Sequence, residues 1–419
     1  MMNLKSIKSL FYTGGTSVSV MLLGIITGIL TARTLGAEGR GIFAEFLFWP
    51  QLISSVLILG LNDATAYFTA KYTRSGQEIS KSAIILSGIS IVISIVVTII
   101  FACFKIDDDY LFFFLAYSFI YYLFFYISNI LLSYNQGKLD FLTFNLFKLI
   151  SPITYFVLLS FFYAIGKLDL KSALISYVLS IVLASTLRIF ISRSILNARV
   201  SLNKIKLVAN KAIKFFFTNF MMIASQNIDK FVLFLFFTSI DAGEYVVAGT
   251  IPNAILAIVA LSIQVVAFPN IANQKTQVLR VKSAKQWAVL TFFGNFFVCT
   301  ILYNLSPYLI NFFYGTEFNN SIYISQLLII SVFLQAIRFS FIYILRGLGE
   351  VNFGLYSEML YIFIFSFFFF NFEMGRLEVL PKFLIASNVV LMVLLSAIVL
   401  FNKFYTPFKK VNDDEFIIK

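Results

Sequence analysis

Long apolar runs alternate with short polar breaks along the chain, and the runs set its architecture. Twelve can be drawn, most of them at or above the ~20 residues a helix needs to cross a bilayer. In the first half they lie near 10–34, 41–69, 81–104, 110–133, 141–165 and 170–193. In the second they lie near 212–237, 243–271, 284–305, 321–346, 353–372 and 380–402. Only a helix satisfies its own backbone in hydrocarbon without a partner segment. The expected class is an all-α polytopic membrane protein with about twelve transmembrane helices.

A repeat refines this. The stretch Leu35-Gly36-Ala37-Glu38-Gly39-Arg40-Gly41-Ile42-Phe43 reads as a short loop feeding the second run, which carries Pro50. Gly41-Ile42-Phe43 and Pro50 recur as Gly243-Glu244-Tyr245 and Pro252, both at an offset of 202 residues. Gly137-Lys138-Leu139-Asp140-Phe141 resembles Gly349-Glu350-Val351-Asn352-Phe353 at an offset of 212. The expectation is two pseudo-symmetric six-helix bundles, 1–193 and 212–402. A basic linker, 194–211, joins them and a tail, 403–419, follows. Such repeats are the usual build of secondary transporters.

Composition agrees on the solvent. Hydrophobic residues make up 60% of the chain, charged residues 12%, and mean hydropathy is +0.90. A water-soluble core of this size cannot absorb that much apolar surface. The first run is too long for a signal-peptide core, and no small-residue cleavage site follows it. The absence of histidine removes His-based acid–base chemistry and most zinc sites. Neither a metal nor a cofactor is expected. Cys103 and Cys299 lie inside apolar runs, which argues against a disulfide framework.

The net charge of +12 reads as membrane topology rather than nucleic-acid binding. With the N-terminus inside, 21 basic residues fall in cytoplasmic segments and 7 in external ones. That bias orients the chain with both termini cytoplasmic.

Several runs carry polar residues at helical spacing. Thr13, Ser17, Gly24, Thr27 and Thr31 share a face in the first; Gln51, Ser55, Asn62, Thr65 and Thr69 share one in the second, beside Asp63. Asn145, Lys148, Pro152 and Tyr155 align in the fifth, Asn219, Gln226 and Lys230 in the seventh beside Asp229, and Ser331, Gln335 and Arg338 in the tenth. Such faces belong against protein or water, so together they imply a polar cavity between the halves. Charges inside a span are expensive and mark function. Lys148, Lys230 and Arg338 are the candidate cationic site residues. Asp63, Asp229 and Glu358 are candidate coupling groups or ion-pair partners. Lys148 and Glu358 lie on equivalent helices, which suggests a pair bridging the halves. Arg33 and Arg188, near run ends, read as snorkelling. Pro50 and Pro252 occupy matched places and are candidate hinges.

The stretch Arg33-Thr34-Leu35-Gly36-Ala37-Glu38-Gly39-Arg40-Gly41-Ile42-Phe43 closely resembles the first loop of bacterial polysaccharide-export flippases. Asn227-Ile228-Asp229-Lys230, Asp241-Ala242-Gly243-Glu244-Tyr245 and Arg346-Gly347-Leu348-Gly349-Glu350 are similar to further segments of that family. The family is that of the O-antigen (Wzx-type) flippases, in the multidrug/oligosaccharidyl-lipid/polysaccharide exporter superfamily. The resemblance implies twelve helices in two six-helix bundles around a central cavity, in the bacterial inner membrane. It implies as substrate an oligosaccharide repeat unit on undecaprenyl diphosphate, moved from the cytoplasmic to the outer leaflet. Cationic cavity residues would serve the diphosphate. Only Lys230 falls within a matching motif, so Lys148 and Arg338 rest on the polar-face argument. The implied partners are the lipid-linked oligosaccharide, the bilayer, and a polysaccharide polymerase with its chain-length regulator.

Two other readings remain. A small-organic-cation exporter of the multidrug branch calls for an acidic cavity, and the candidate charges are balanced. A polysaccharide polymerase needs a sizeable outer loop with acid–base groups, and the longest, 306–320, holds one carboxylate, Glu317.

Overall fold

The computed structural model describes residues 4–106, 108–262, 270–271, 274, 276–348, 353–373 and 375–405. These form helices joined by short turns. The first half contains α1 (Leu4–Leu57), α2 (Leu61–Lys71), α3 (Gly76–Lys105), α4 (Asp108–Gly137), α5 (Phe141–Ala164) and α6 (Leu170–Ile191). A single turn, α7 (Arg193–Leu196), leads to α8 (Leu202–Phe236), α9 (Ser239–Ala248) and α10 (Thr250–Ser262). Then follow α11 (Gln277–Tyr314), α12 (Asn320–Leu348), α13 (Phe353–Asn371) and α14 (Val379–Tyr405).

Ten of these helices are long and apolar enough to cross a membrane. The first, Tyr12–Leu57, is really two arms, because Gly36 breaks α1 with φ 67° and ψ −176°. The eighth expected run is divided between α9 and α10. The twelve-run layout is thus present, in two six-helix bundles, with corrections at its joints. Leu35–Phe43 is not a loop: one left-handed glycine redirects the chain and the helix restarts at Ala37. The second run is interrupted at Leu59 and Gly60, both with positive φ. The basic linker is mostly helical, because Ser201 accepts a hydrogen bond from Lys204 N and α8 starts ten residues earlier than expected. The repeat partner Gly349-Glu350-Val351-Asn352 lies outside the described residues, as do the tail beyond residue 405 and residues 263–269 at the end of the eighth run.

α3 shows how lipid inverts the usual helix pattern. Ser80, Ser87, Ser90, Ser94 and Thr98 are buried, while Ile85, Ile89, Val92, Val96 and Ile99 are exposed. The small polar face lets α4 approach closely, and the branched apolar face meets hydrocarbon. Tyr126 and Tyr122 of α4 close the seam through hydrogen bonds to Ser94 and Thr98, the latter 2.6 Å long. Each such bond contributes roughly 0.6 kcal/mol in a membrane, so the seam rests on packing more than on polarity.

Several apolar clusters join the two halves, the most extensive of them built around α1. Phe43, Phe46 and Trp49 of α1 pack with Leu233 and Phe234 of α8, Tyr245 of α9 and Leu380 of α14. The repeat glycines make the closest approach. A Cβ on Gly41 would run into the Ser239 carbonyl, and one on Gly243 into the Ala37 carbonyl. These contacts are each other's image at the offset of 202, so a pseudo-twofold axis passes between Gly41 and Gly243.

Candidate functional site

One cavity of about 630 Å³ runs between the halves. The first half supplies a single stripe of α1: Arg40, Ala44, Leu47, Phe48 and Gln51. The spacing of four, three, one and three residues keeps these side chains on one helical face. The rest of the lining comes from α8, α9, α10, α12, α13 and α14. On α8 it extends from Phe234 back to Thr218, roughly 24 Å along the helix at 1.5 Å per residue. Arg40, Tyr245 and Lys230 mark the end near Gly36; Thr218, Tyr343 and Gly354 mark the other.

The predicted residues separate into groups. Lys230 lines the cavity, and no ion-pair partner stands within 4 Å of it among the described residues. Asp229 lines it too, accepting a 2.8 Å hydrogen bond from Tyr245 Oη. Glu358 lines it and pairs with Arg338 at 3.6 Å. Arg338 itself is 1% exposed and sits behind the wall, 4.0 Å from the centre of the Tyr361 ring. Its three guanidinium nitrogens find no hydrogen-bond partner among the described residues. It is therefore an ion-pair partner and not a lining residue.

Lys148 is not at the cavity. It donates a 2.9 Å hydrogen bond to Ser17 Oγ of α1, beside Asn145 Nδ2 on Thr13 Oγ1 at 3.2 Å. The polar stripes of the first and fifth runs meet inside one bundle, and no bridge from Lys148 to Glu358 forms. Asp63 accepts from Asn219 Nδ2, joining α2 to α8 away from the cavity. Arg188 donates to the Phe147 carbonyl within the first bundle. Pro50 lies inside the second arm of α1, but Pro252 lies in the first turn of α10, where proline costs no hydrogen bond. Pro252 lines the cavity and Pro50 does not.

Arg40 was missed because the stretch around it reads as a loop. Its Nε is buried and without a hydrogen-bond partner among the described residues, and its guanidinium lies 5.5 Å from the centre of the Phe43 ring. The stripe from Arg40 to Gln51 was the available signal.

A family model for polysaccharide biosynthesis proteins matches residues 6–275. The chain belongs to that family. No curated protein sequence matches it. Its fold is shared with solved transporters. A multidrug resistance MATE family transporter of the MOP superfamily, in its inward-facing conformation, superposes with a TM-score of 0.73 at 13% identity. That match covers 95% of this chain and 99% of the other. The outward-facing conformation of a MATE family transporter gives 0.63 at 15% identity, over 96% and 97%. A MOP superfamily transporter from Pyrococcus furiosus, described as having a binding pocket of reverse polarity, gives 0.61 at 14% identity, over 93% of each chain.

Proposed function

We propose that the protein is a flippase. It moves an oligosaccharide repeat unit, carried on undecaprenyl diphosphate, from the cytoplasmic to the outer leaflet of the bacterial inner membrane. The observation that carries this reading is Lys230, a cation lining the cavity without a carboxylate partner among the described residues, in a chain of the polysaccharide biosynthesis family. Arg40 supports it from the opposite wall. Arg338 and Glu358 offset each other, so among the described lining residues Lys230 and Arg40 stand against the one carboxylate Asp229. That balance suits an anion better than an organic cation. Guanidinium and ammonium groups replace the hydration a diphosphate loses on leaving water. The deciding experiment is the lipid-linked intermediate: cells lacking the protein should accumulate undecaprenyl-diphosphate-linked repeat units on the cytoplasmic face. Accumulation of polymerisation-ready units on the outer face would favour a polymerase instead.

In this reading the Gly36 end faces outward, and residues 1–193 and 212–402 form the bundles that rock against each other. The higher similarity to an inward-facing transporter fits a cavity closed at the Gly36 end. On a background without Cys103 and Cys299, Lys206→Cys should react with an impermeant maleimide only from the cytoplasmic face. Lys167→Cys should react only from outside. Both residues are exposed, and reversed labelling would invert the topology.

Pro50 and Pro252 act as hinges in this cycle. Replacing both by Ala should slow export several-fold at unchanged abundance. Parallel losses of abundance and export would mean that they serve folding alone.

A further inference from the structure

We propose that the Gly36 end is a gate latched by exchanged helix caps, with Glu317 and Arg33 as the latch. The argument starts from what the first half lacks. In the second half, α9 begins with its own capping box. Thr238 Oγ1 accepts from Asp241 N at 3.2 Å, and the Asp241 carboxylate accepts from Thr238 N. At the offset of 202, Thr238 corresponds to Gly36 and Asp241 to Gly39. The restarted arm of α1 therefore has neither capping side chain.

Its cap comes from the other half. Glu317, in the turn between α11 and α12, accepts a hydrogen bond from Ala37 N at 2.9 Å. A carboxylate here also meets the positive end of the arm. Gly36 is needed for this, since it adopts a left-handed φ and any Cβ would lie 2.9 Å from Glu317 Oε1. The exchange is mutual. Arg33, on the last turn before the break, donates through Nε to the Phe313 carbonyl at 2.7 Å and through Nη2 to the Phe312 carbonyl. Those carbonyls belong to the last turn of α11, where the Gly315 N–H caps the Asn311 carbonyl and Arg33 takes the next two. Arg33 is thus a cap, not a snorkelling side chain.

Both caps exist only while the halves touch. Between them and the cavity, Gly41 and Gly243 seat backbone on backbone, leaving no room for a side chain. Parting the halves at this end uncovers the Ala37 N–H and the Phe312 and Phe313 carbonyls together. A self-capped arm, like α9, loses nothing of this kind. Loss of the self-cap in one repeat therefore converts a local helix cap into a contact that holds one state of the protein. A ligand that favours the open state then shifts the balance toward opening.

The proposal rests on the transport reading only in that this end must open. The test needs no substrate, so the two can fail separately. Ala44→Cys, in a chain without Cys103 and Cys299, places a thiol in the cavity. Its rate of reaction with an impermeant maleimide is measured in intact cells and in inverted vesicles. Glu317→Ala should raise the rate about fivefold, the population shift expected from the loss of one helix cap. The rise should come from the face that does not label Lys206→Cys. Glu317→Gln keeps the acceptor and should stay close to the parent. Gly41→Ala and Gly243→Ala should raise the rate further, because the end cannot close around a methyl group. Unchanged labelling of the Glu317→Ala variant at parental abundance would overturn the proposal. So would a rise confined to the opposite face.

Discussion

Cells whose only copy carries Lys230→Ala should lose surface polysaccharide and accumulate lipid-linked repeat units inside, at normal protein abundance. Lys230 makes no ion pair among the described residues, so its removal strands no buried carboxylate. That separates a binding defect from a folding defect. A charge-assisted hydrogen bond contributes about 1.5–3 kcal/mol, so affinity for the diphosphate should fall between about tenfold and a hundredfold. Lys230→Arg keeps the charge and should retain part of the activity. Arg40→Ala should behave like Lys230→Ala and Arg40→Lys like Lys230→Arg. These contacts have to remain modest, because the substrate must also leave. The membrane potential assists departure: two negative charges moving outward gain roughly 4.6 kcal/mol per 100 mV. Normal export by a normally abundant Lys230→Ala protein would remove the diphosphate role.

How far the chain could be read in advance depended on whether a feature is local or relational. The runs were local. Their length and hydropathy placed the helices, but not the breaks at Gly36 and Gly60, the division of the eighth run into α9 and α10, or the early start of α8. The repeat was also readable, and the Gly41–Gly243 contact is its physical meaning: two small residues at one offset mark a backbone crossing on the axis. Polar faces were read as faces but not as neighbours. Nothing in the spacing of Asn145 and Lys148 distinguishes a cavity from the Thr13–Ser17 stripe to which they donate. The same limit hid the Glu317–Ala37 bond, 280 residues apart in sequence. The serine stripe of α3 was legible in principle, since buried serines alternate with exposed isoleucine and valine at helical spacing. It carries less signal than a charge because serine hides easily in its own helix, as Ser80 does on the Gly76 carbonyl.

Arg338→Ala should be lost from the membrane rather than merely inactive. The guanidinium is almost wholly enclosed, with Glu358 at 3.6 Å and the Tyr361 face at 4.0 Å as its stabilising contacts. Removing one member of such a pair leaves an uncompensated charge and destabilises by about 3–5 kcal/mol. Glu358→Ala should do the same from the other side, and more severely, because the unpaired arginine cannot deprotonate. Replacing both, as Arg338→Met with Glu358→Gln, removes the charges together and should restore abundance. Arg338→Lys keeps the charge but gives up the planar face that lies over Tyr361, so it should recover abundance only in part. Export by the abundant double variant then separates two roles. If it exports, the pair is scaffolding that shapes the cavity wall behind Glu358. If it is abundant and silent, the Glu358 carboxylate is needed at the wall as a coupling group, with Arg338 positioning it. Normal abundance and export of Arg338→Ala alone would contradict both, because a buried carboxylate cannot lose its paired cation without consequence.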